Sequence, residues 1–274
     1  MNGGGAAEVV DIGGGVVGSS AACRLREDGV TGRIVVVERD RSYARASSFL
    51  AMGGIRQQFG SSVCVRMVQY SVAVWREFDA RMRTATHAPR AWFRQRGYLF
   101  LADDTNAATL AAREAAQAAA GAVRQRLSVD QIRALVPGLA LDDIRFGLFG
   151  PDDGYANPRE VLFGFRAAAE AAGVEYVEDA VAGVQTRGGR VTGVALASGA
   201  RLGAGGRQRG RGAGGRRGGA GRIVGAGRTA ASAALPLHPA GENLACDDVR
   251  WETEFYPALI RRLPAAVDVS DVHG

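Results

Sequence analysis

A glycine-rich turn between a strand and a helix is the feature of this 274-residue sequence that most restricts its fold. Residues 8–12, EVVDI, predict a strand, a helix is predicted over 16–28, and a second buried strand over 33–37 ends at Glu38. Three glycines join the first strand to the helix in the spacing G-x-G-x-x-G: Gly13, Gly15 and Gly18. This order of elements predicts a β-α-β unit that binds a dinucleotide.

Each position of this unit has a physical reason. Gly13 permits the tight turn, Gly15 lets a pyrophosphate approach the backbone, and Gly18 lets the helix pack closely on the sheet. The first turn of the helix, including Val17, presents N–H groups to phosphate oxygens. Glu38 accepts hydrogen bonds from ribose hydroxyls, and its negative charge argues against a 2′-phosphate and therefore against NADP.

Asp11 conflicts with this pattern. It stands in the first strand, which we expect to be buried on both faces of a parallel sheet. A carboxylate in such a place is costly unless it is paired or protonated, and nothing in the sequence identifies its partner.

Composition excludes several kinds of protein. All 34 basic residues are arginine, and the six arginines of 203–222 account for the whole net charge of +6, so the remainder is neutral. Three cysteines without metal-like spacing predict free thiols, and three scattered histidines predict neither a metal site nor a Ser-His-Asp hydrolase. Since no apolar run reaches about 20 residues, we expect no membrane span and a cytoplasmic protein. The alanine, glycine and arginine excess indicates a GC-rich gene, and we expect a bacterial source.

Residues 40–60, DRSYARASSFLAMGGIRQQFG, follow the second strand as a small, polar loop. With this loop, the first 60 residues resemble FAD-dependent oxidoreductases of the D-amino-acid oxidase and sarcosine oxidase superfamily, above all its dimethylglycine-dehydrogenase-like members. The loop contains no His or Cys that could tether a flavin, so we expect non-covalent FAD.

The resemblance implies roles for particular residues. Arg39 would join Glu38 in binding the cofactor, and Ser47 and Ser48 would bind its phosphate or ribose. Four residues would lie beside the flavin ring: Gly54, Ile55, Arg56 and Gln57. Arg56 and Gln57 are the candidates for the flavin face, although from its residue type Arg56 is equally well a surface arginine. A catalytic residue is not identified.

A second match lies at PDDGYANPRE, residues 151–160. Asn157 predicts a helix N-cap, with Pro158 in the first helical position and Glu160 in the third. In the family, D-G-Y-x-x-P followed by a helix returns the chain from the substrate domain to the FAD domain. Residues 180–199 predict a hairpin with its turn at Gly188 and Gly189, and the resemblance implies that the backbone near Val181 touches adenine.

The predicted fold class is α/β, with a Rossmann-type FAD-binding domain built on a parallel sheet, a partial α+β substrate domain, and a truncated or divergent C-terminal part. The predicted boundaries are a discontinuous FAD-binding domain over 7–82 and 152–204, a substrate domain over 83–151, an irregular Gly/Arg-rich segment over 205–234, and a residual C-terminal segment over 235–274.

The family pattern breaks at GGRQRGRGAGGRRGGAGR, residues 205–222, where a hydrophobic strand and an N-A-A-G-like loop are expected. Codons for Gly206–Gly212 exist that read Ala-Val-Asn-Ala-Ala-Gly when shifted by one base. The hypothesis is that this segment is a frame-shifted reading of a flavin-binding strand. The nucleotide sequence of the gene decides it.

The sequence therefore predicts an FAD-dependent oxidoreductase, or a defective copy, that oxidises the C–N bond of an amino acid or N-methylated amine. Oxygen or an electron carrier would reoxidise the flavin. One alternative is a nucleotide-binding protein with a nucleic-acid-binding arm over 205–222, but that arm lacks the aromatic residues that stack on bases. Nucleic acid is thus an unfavoured partner. A second alternative is an NAD-dependent dehydrogenase, against which the loop over 40–60 argues.

Overall fold

The computed structural model describes residues 6–188, 190–204 and 222–225, the last of these by their backbone alone. The helices of this part of the chain are α1 (Val16–Glu27), α2 (Ser47–Leu50), α3 (Ser62–Arg76), α4 (Phe78–Arg81), α5 (Ala107–Ala119), α6 (Val129–Leu135) and α7 (Pro158–Ala171). None of the helices described is long and apolar enough to cross a membrane.

The strands follow the same chain order. They are β1 (Val9–Ile12), β2 (Ile34–Glu38), β3 (Gly54–Ile55), β4 (Tyr98–Ala102), β5 (Gln125–Leu127), β6 (Phe146–Gly150), β7 (Gly154–Tyr155), β8 (Glu175–Glu178), β9 (Val181–Arg187), β10 (Arg190–Leu196), β11 (Arg201–Gly203) and β12 (Arg222–Gly225).

The chain forms two compact units, each built from separate stretches of sequence. The described residues of the first unit are 6–53, 77–92, 156–188, 190–204 and 222–225, and those of the second are 54–76 and 93–155. The domain boundaries given above stay a prediction.

A parallel sheet in the order β12-β1-β2-β8 forms the centre of the first unit. Its middle strands are apolar and buried on both faces, as Ile34–Val37 of β2 shows with exposures of 2% or less. Parallel strands covered on both faces read as nearly continuous apolar runs, and VVDI and IVVVE fit this pattern except at Asp11. The predicted α/β class with a parallel sheet is confirmed.

The strand β12 corrects one part of the sequence interpretation. Residues 205–234 are expected to be irregular, but 222–225 pair in parallel with β1, with Val10 opposite Ile223. Ile223 and Val224 are β-branched residues that favour extended backbone, and the edge of β1 offers them unpaired hydrogen-bonding groups. The rest of 205–234, the frame-shift hypothesis and the segment 235–274 lie outside the described residues.

A second, antiparallel sheet in the order β11-β10-β9 completes the first unit, and its β9–β10 pair is the predicted hairpin. Val194 and Leu196 of β10 share one apolar cluster with Val10 of β1 and Val35 of β2. The hairpin and the parallel sheet therefore bury a common core.

The helices α1 and α7 pack against each other in the first unit. The predicted cap of α7 is confirmed, because the Asn157 side chain accepts hydrogen bonds from the N–H groups of Arg159 and Glu160. Phe165 of α7 meets the ring of Phe78 edge to face, with centroids 4.9 Å apart. This contact fixes α4 on α7.

The second unit combines helices with an antiparallel sheet in the order β4-β6-β5. Leu148 of β6 and Leu110 of α5 are buried in one cluster, and Ile132 of α6 lies in another. The short strands β3 and β7 form a separate antiparallel pair, in which Gly54 lies opposite Tyr155 and Ile55 lies opposite Gly154.

Candidate dinucleotide-binding site

The turn after β1 has the conformation that the glycine spacing predicts. Gly13 has a φ of 102°, in the region that favours glycine, and its N–H donates to the Val37 carbonyl at 2.9 Å. A Cβ on Gly18 would overlap the Gly13 carbonyl oxygen. The close approach of α1 to the end of β1 therefore requires glycine at both positions.

Gly15 differs from these two glycines. Its φ is −63°, which any residue adopts, and a Cβ built on it would lie 3.5 Å from the nearest atom, Oγ of Ser48. The folded chain itself therefore leaves room for a side chain at Gly15. A bare backbone in this position leaves space for a ligand that approaches the turn, as a pyrophosphate would.

The N-terminus of α1 faces Ser48. Gly15 is the N-cap and offers no side-chain oxygen, so the N–H of Val16 donates to Oγ of Ser48 at 3.2 Å. The next N–H, that of Val17, belongs to the first turn, where N–H groups have no partner within the helix. Ser47, by contrast, is exposed at the start of α2.

Glu38 lies at the carboxyl end of β2 and turns back to the glycine turn. Its Oε2 accepts from the N–H of Gly14 at 2.7 Å, and its Oε1 accepts from the N–H of Asp40 at 3.0 Å. Each carboxylate oxygen keeps a second lone pair. Arg39 is exposed beside it. Two backbone N–H groups thus hold the Glu38 carboxylate, which is predicted to bind the ribose, at the glycine turn.

Gly14, which the sequence motif leaves unspecified, is closely packed by three side chains. A Cβ on it would lie 3.1 Å from Cβ of Glu38, 3.2 Å from the Tyr176 ring and 3.3 Å from the Tyr43 hydroxyl. Tyr176 also donates to Oγ of Ser19 at 2.9 Å, and Ser19 donates to the Gly14 carbonyl at 2.7 Å.

Sequence reasoning missed these two tyrosines. Tyr43 is buried, and its backbone adopts the left-handed conformation with a φ of 58°. Tyr176 belongs to β8 and is distant in the sequence. The one local signal is an aromatic residue inside the otherwise small and polar loop 40–60, which marks Tyr43 alone.

Val181 is the first residue of β9 and packs against the apolar cluster that β1 and β2 share. The first unit therefore contains the glycine turn, Glu38, Arg39, both serines and Val181.

Asp11 is fully buried in β1, and neither of its carboxyl oxygens has a hydrogen-bond partner in the described part of the chain. Burial raises the pKa of Asp11 to about 7. A buried carboxyl must be either paired or protonated, and the surroundings of Asp11 favour protonation.

The other predicted site residues, Gly54, Ile55, Arg56 and Gln57, belong to the second unit. Gly54 and Ile55 form β3, and Gln57 is 3% exposed. The Arg56 guanidinium lies 5.8–5.9 Å from the centroids of three rings: Phe59, Tyr98 and Phe100.

This environment distinguishes the two interpretations of Arg56. It is half-buried among aromatic faces that attract a cation, so it is not a solvated surface arginine. No carboxylate of the described residues pairs with it. The guanidinium therefore keeps its hydrogen-bonding capacity for an anionic group. Nor do the described residues contain a cluster of three or more His, Cys, Asp or Glu side chains that could hold a metal ion.

A parallel sheet with a G-x-G-x-x-G turn, a helix N-terminus and a terminal acid defines the class of dinucleotide-binding α/β proteins. Within that class, residues 8–213 match the model of one family, described as FAD dependent oxidoreductase. The chain belongs to this family, and FAD is the cofactor that the family indicates. The NAD-dependent alternative is therefore wrong, and the predicted superfamily is confirmed.

Two of the curated relatives are proteins of Bos taurus and Drosophila melanogaster. The chain is 32% identical over 179 residues to FAD-dependent oxidoreductase domain-containing protein 1 of Bos taurus, covering 64% of this chain and 37% of that protein. It is 32% identical over 176 residues to the Drosophila melanogaster homolog, covering 64% and 34%. The chain thus spans little more than a third of their length, and these relatives do not support the expected bacterial source.

Two solved structures of similar fold belong to proteins whose names contain that of an amino acid. L-proline dehydrogenase from P. horikoshii matches with a TM-score of 0.66 and 26% identity, over 82% of this chain and 53% of that one. Glycine oxidase from Bacillus cereus matches with a TM-score of 0.58 and 24% identity, over 73% and 55%. The latter likeness concerns the fold alone.

Proposed function

We propose that this chain binds FAD non-covalently and is the cofactor-binding part of an oxidoreductase that acts on the C–N bond of an amino acid or N-methylated amine. The observation that carries the proposal concerns Gly15. Neither its φ nor the packing around it requires a glycine, so its lack of a side chain leaves space for a ligand. The names of the solved relatives, L-proline dehydrogenase above all, support an amino-acid substrate. Oxygen and an electron carrier both remain candidates for the final acceptor.

The residues of the first unit fit the adenosine and pyrophosphate of FAD. The N–H groups of Gly15 and Val17 and the hydroxyls of Ser47 and Ser48 would bind the phosphates. Their binding would release the N–H of Val16 from Ser48. Glu38 would accept from a ribose hydroxyl while Gly14 and Asp40 hold its carboxylate. Val181 would contact adenine through its backbone, and Arg39 would lie beside the ribose.

In the second unit, Arg56 and Gln57 are the proposed flavin-face residues, with Gly54 and Ile55 before them. When bound, FAD supplies a two-electron acceptor that takes a hydride from the carbon beside the substrate nitrogen. Arg56 would stabilise the negative charge that the reduced ring carries near N1, because no carboxylate in the part of the chain that the structure describes neutralises its guanidinium. The faces of the three aromatic rings around Arg56 attract its guanidinium and help to hold it in place.

The first experiment is a visible spectrum of the purified chain with and without added FAD. We expect a yellow protein whose flavin is released by heat precipitation, since no covalent link is expected. A colourless protein that takes up no added FAD would contradict the proposal.

A pair of glutamate variants tests the predicted ribose ligand. Glu38→Gln should weaken FAD binding by about tenfold, the order expected for a hydrogen bond to a charged group. Glu178→Gln at the end of β8 is the control, because Glu178 lies at the same edge of the sheet and, among the described residues, its side chain accepts from the Arg41 N–H alone, at 3.3 Å. Equal affinities of the two variants, measured by quenching of flavin fluorescence, would remove Glu38 from the site.

A further inference from the structure

A buried carboxylate in the second unit holds the segment that carries Arg56 and Gln57. Asp153 is 0% exposed. Its Oδ1 accepts from the backbone N–H of Gln57 at 2.8 Å, and its Oδ2 accepts from the side-chain amide of Gln58 at 3.2 Å. One carboxylate thus fixes two consecutive residues through two separate oxygens.

The place of Asp153 in the chain explains this geometry. It immediately precedes β7, whose two residues pair with β3. Beyond Ile55 the backbone pairing stops, and the Asp153 side chain provides the acceptor that the Gln57 N–H needs. Gln58 also donates to the Tyr98 carbonyl at 2.8 Å, which ties the same segment to β4.

Arg124 balances the buried charge. Its side chain is 3% exposed, and its Nη2 lies 3.8 Å from Oδ1 of Asp153. That distance is too long for a hydrogen bond, so the carboxylate lone pairs stay available to Gln57 and Gln58. Arg124 is itself held by Gln117, whose amide oxygen accepts from Nε at 2.7 Å.

Arg56 is therefore confined from two sides. Before it, Ile55 is paired with Gly154, and after it, the Gln57 N–H is bound to Asp153. Its backbone has little freedom, and its guanidinium lies within 5.9 Å of three ring centroids, those of Phe59, Tyr98 and Phe100. A residue held this way meets a ligand in one orientation.

We infer that Asp153 is a positioning residue: with Arg124 as its counterion, it clamps Gln57 and Gln58 so that Arg56 and Gln57 present a fixed face to the flavin ring. The inference rests on the proposed function of Arg56 and Gln57. It assigns to Asp153 a role that is exerted through its hydrogen bonds to Gln57 and Gln58.

Asp153→Asn tests the clamp, because an amide has one acceptor oxygen where the carboxylate has two. The matched control is Asp152→Asn, since Asp152 is next in the chain, is 40% exposed and lies 3.7 Å from Arg76. Amide hydrogen exchange at Gln57 in the full, FAD-free chain should become about tenfold faster in Asp153→Asn and stay unchanged in Asp152→Asn. An unchanged rate at Gln57 in Asp153→Asn would overturn the inference.

The reduction potential of bound FAD distinguishes a positioning role of Asp153 from a direct effect of its charge and from a role in folding alone. Arg56→Gln should shift the potential negative, because a cation that stabilises the reduced ring is lost. Asp153→Asn should shift it in the same direction, and adding it to Arg56→Gln should cause no further shift. A positive shift would mean that Asp153 acts directly by its charge, and an unchanged potential would mean that it serves folding alone. Either result overturns the inference.

Gln58→Met is the second variant in case Asp153→Asn does not fold. It removes one donor to Oδ2 but keeps the carboxylate, so it should shift the potential negative by a smaller amount, and a positive shift or none would overturn the inference. If the wild-type chain binds no FAD, the proposed function fails and the positioning role fails with it. Faster exchange at Gln57 would then still establish the hydrogen bond itself, so the two failures are distinguishable.

Discussion

Two glycines of one motif are glycine for different reasons. Gly18 lacks a side chain because the Gly13 carbonyl occupies the space where its Cβ would be. Gly15 lacks one although the folded chain has room for it. Packing requires glycine at position 18, and we propose that ligand binding is the reason for glycine at position 15.

Alanine at these two positions should therefore change different properties: the affinity for FAD at position 15 and the free energy of unfolding at position 18. Gly15→Ala should weaken FAD binding at least about tenfold while changing the free energy of unfolding by less than about 1 kcal/mol, the cost of alanine at an N-cap. Gly18→Ala should destabilise the chain by about 1–3 kcal/mol through overpacking. Fluorescence titration and urea unfolding measure the two quantities. A Gly15→Ala variant with normal affinity would show that no ligand approaches there.

Individual site residues were predictable where chemistry follows from local spacing. Gly13, Gly18 and Glu38 lie where the motif predicts, because a turn, a helix and a strand end are all determined within about thirty residues. Gly14, Tyr43 and Tyr176 were not predictable, since their importance arises from contacts with each other across β2 and β8.

At the scale of elements, helix ends are the part of the fold that local sequence specifies best. At the start of α6, the Ser128 side chain accepts from the Gln131 N–H and the Gln131 side chain accepts from the Ser128 N–H, which is a capping box. Asn157 caps α7 without this reciprocal bond, and its side chain accepts from two N–H groups of the first turn at 3.1 Å and 3.4 Å.

Removing the Asn157 cap should loosen α7, which packs against α1 behind the glycine turn. Asn157→Ala should lower the free energy of unfolding by about 1 kcal/mol, and Asn157→Asp should restore most of it because aspartate is an equally good N-cap. Urea unfolding monitored by circular dichroism measures both. Equal losses in the two variants would mean that the side chain acts through something other than capping.

Short strands mark the limit of element prediction. Both β3 and β7 contain only two residues, and β12 contains four, two of which are β-branched. Two residues are too few to form a strand pattern in the sequence, and the two β-branched residues of β12 stand inside an Arg/Gly-rich run that hides them. These segments become strands because a partner supplies hydrogen bonds, and the partner is distant in the sequence: Tyr155 for Gly54, and β1 for β12.

At the scale of the whole molecule, one buried carboxyl links stability to pH. Asp11 is protonated more readily in the folded chain than in the unfolded one, because burial raises its pKa from 3.8 to about 7. The folded state thus binds more protons between these values. Stability should fall as the pH rises from about 4 to about 7 and should lose nothing further from this group above that range.

Asp11→Val measures this contribution. The variant should be more stable than the wild type at about pH 8, by up to about 4 kcal/mol for a pKa shift of about three units. The advantage should shrink steadily as the pH falls towards about 5, because the wild-type carboxyl becomes neutral. Taking the difference between the two chains cancels the titration of all other groups. A difference that does not change with pH would refute the assignment.

What the sequence determined by itself is the β-α-β unit, its glycine turn and terminal acid, the capped helices and the cofactor class. These features are short-range, since each depends on residues within a few turns of chain or on a motif with fixed spacing. The tertiary structure alone decided that Asp153 holds Gln57, 96 residues away, that Ser48 meets the N-terminus of α1, and that Arg56 lies among three rings. The physical reason is that a buried hydrogen bond or ring contact between distant residues leaves no periodicity in the sequence; it exists only once the strands that carry the two partners have paired.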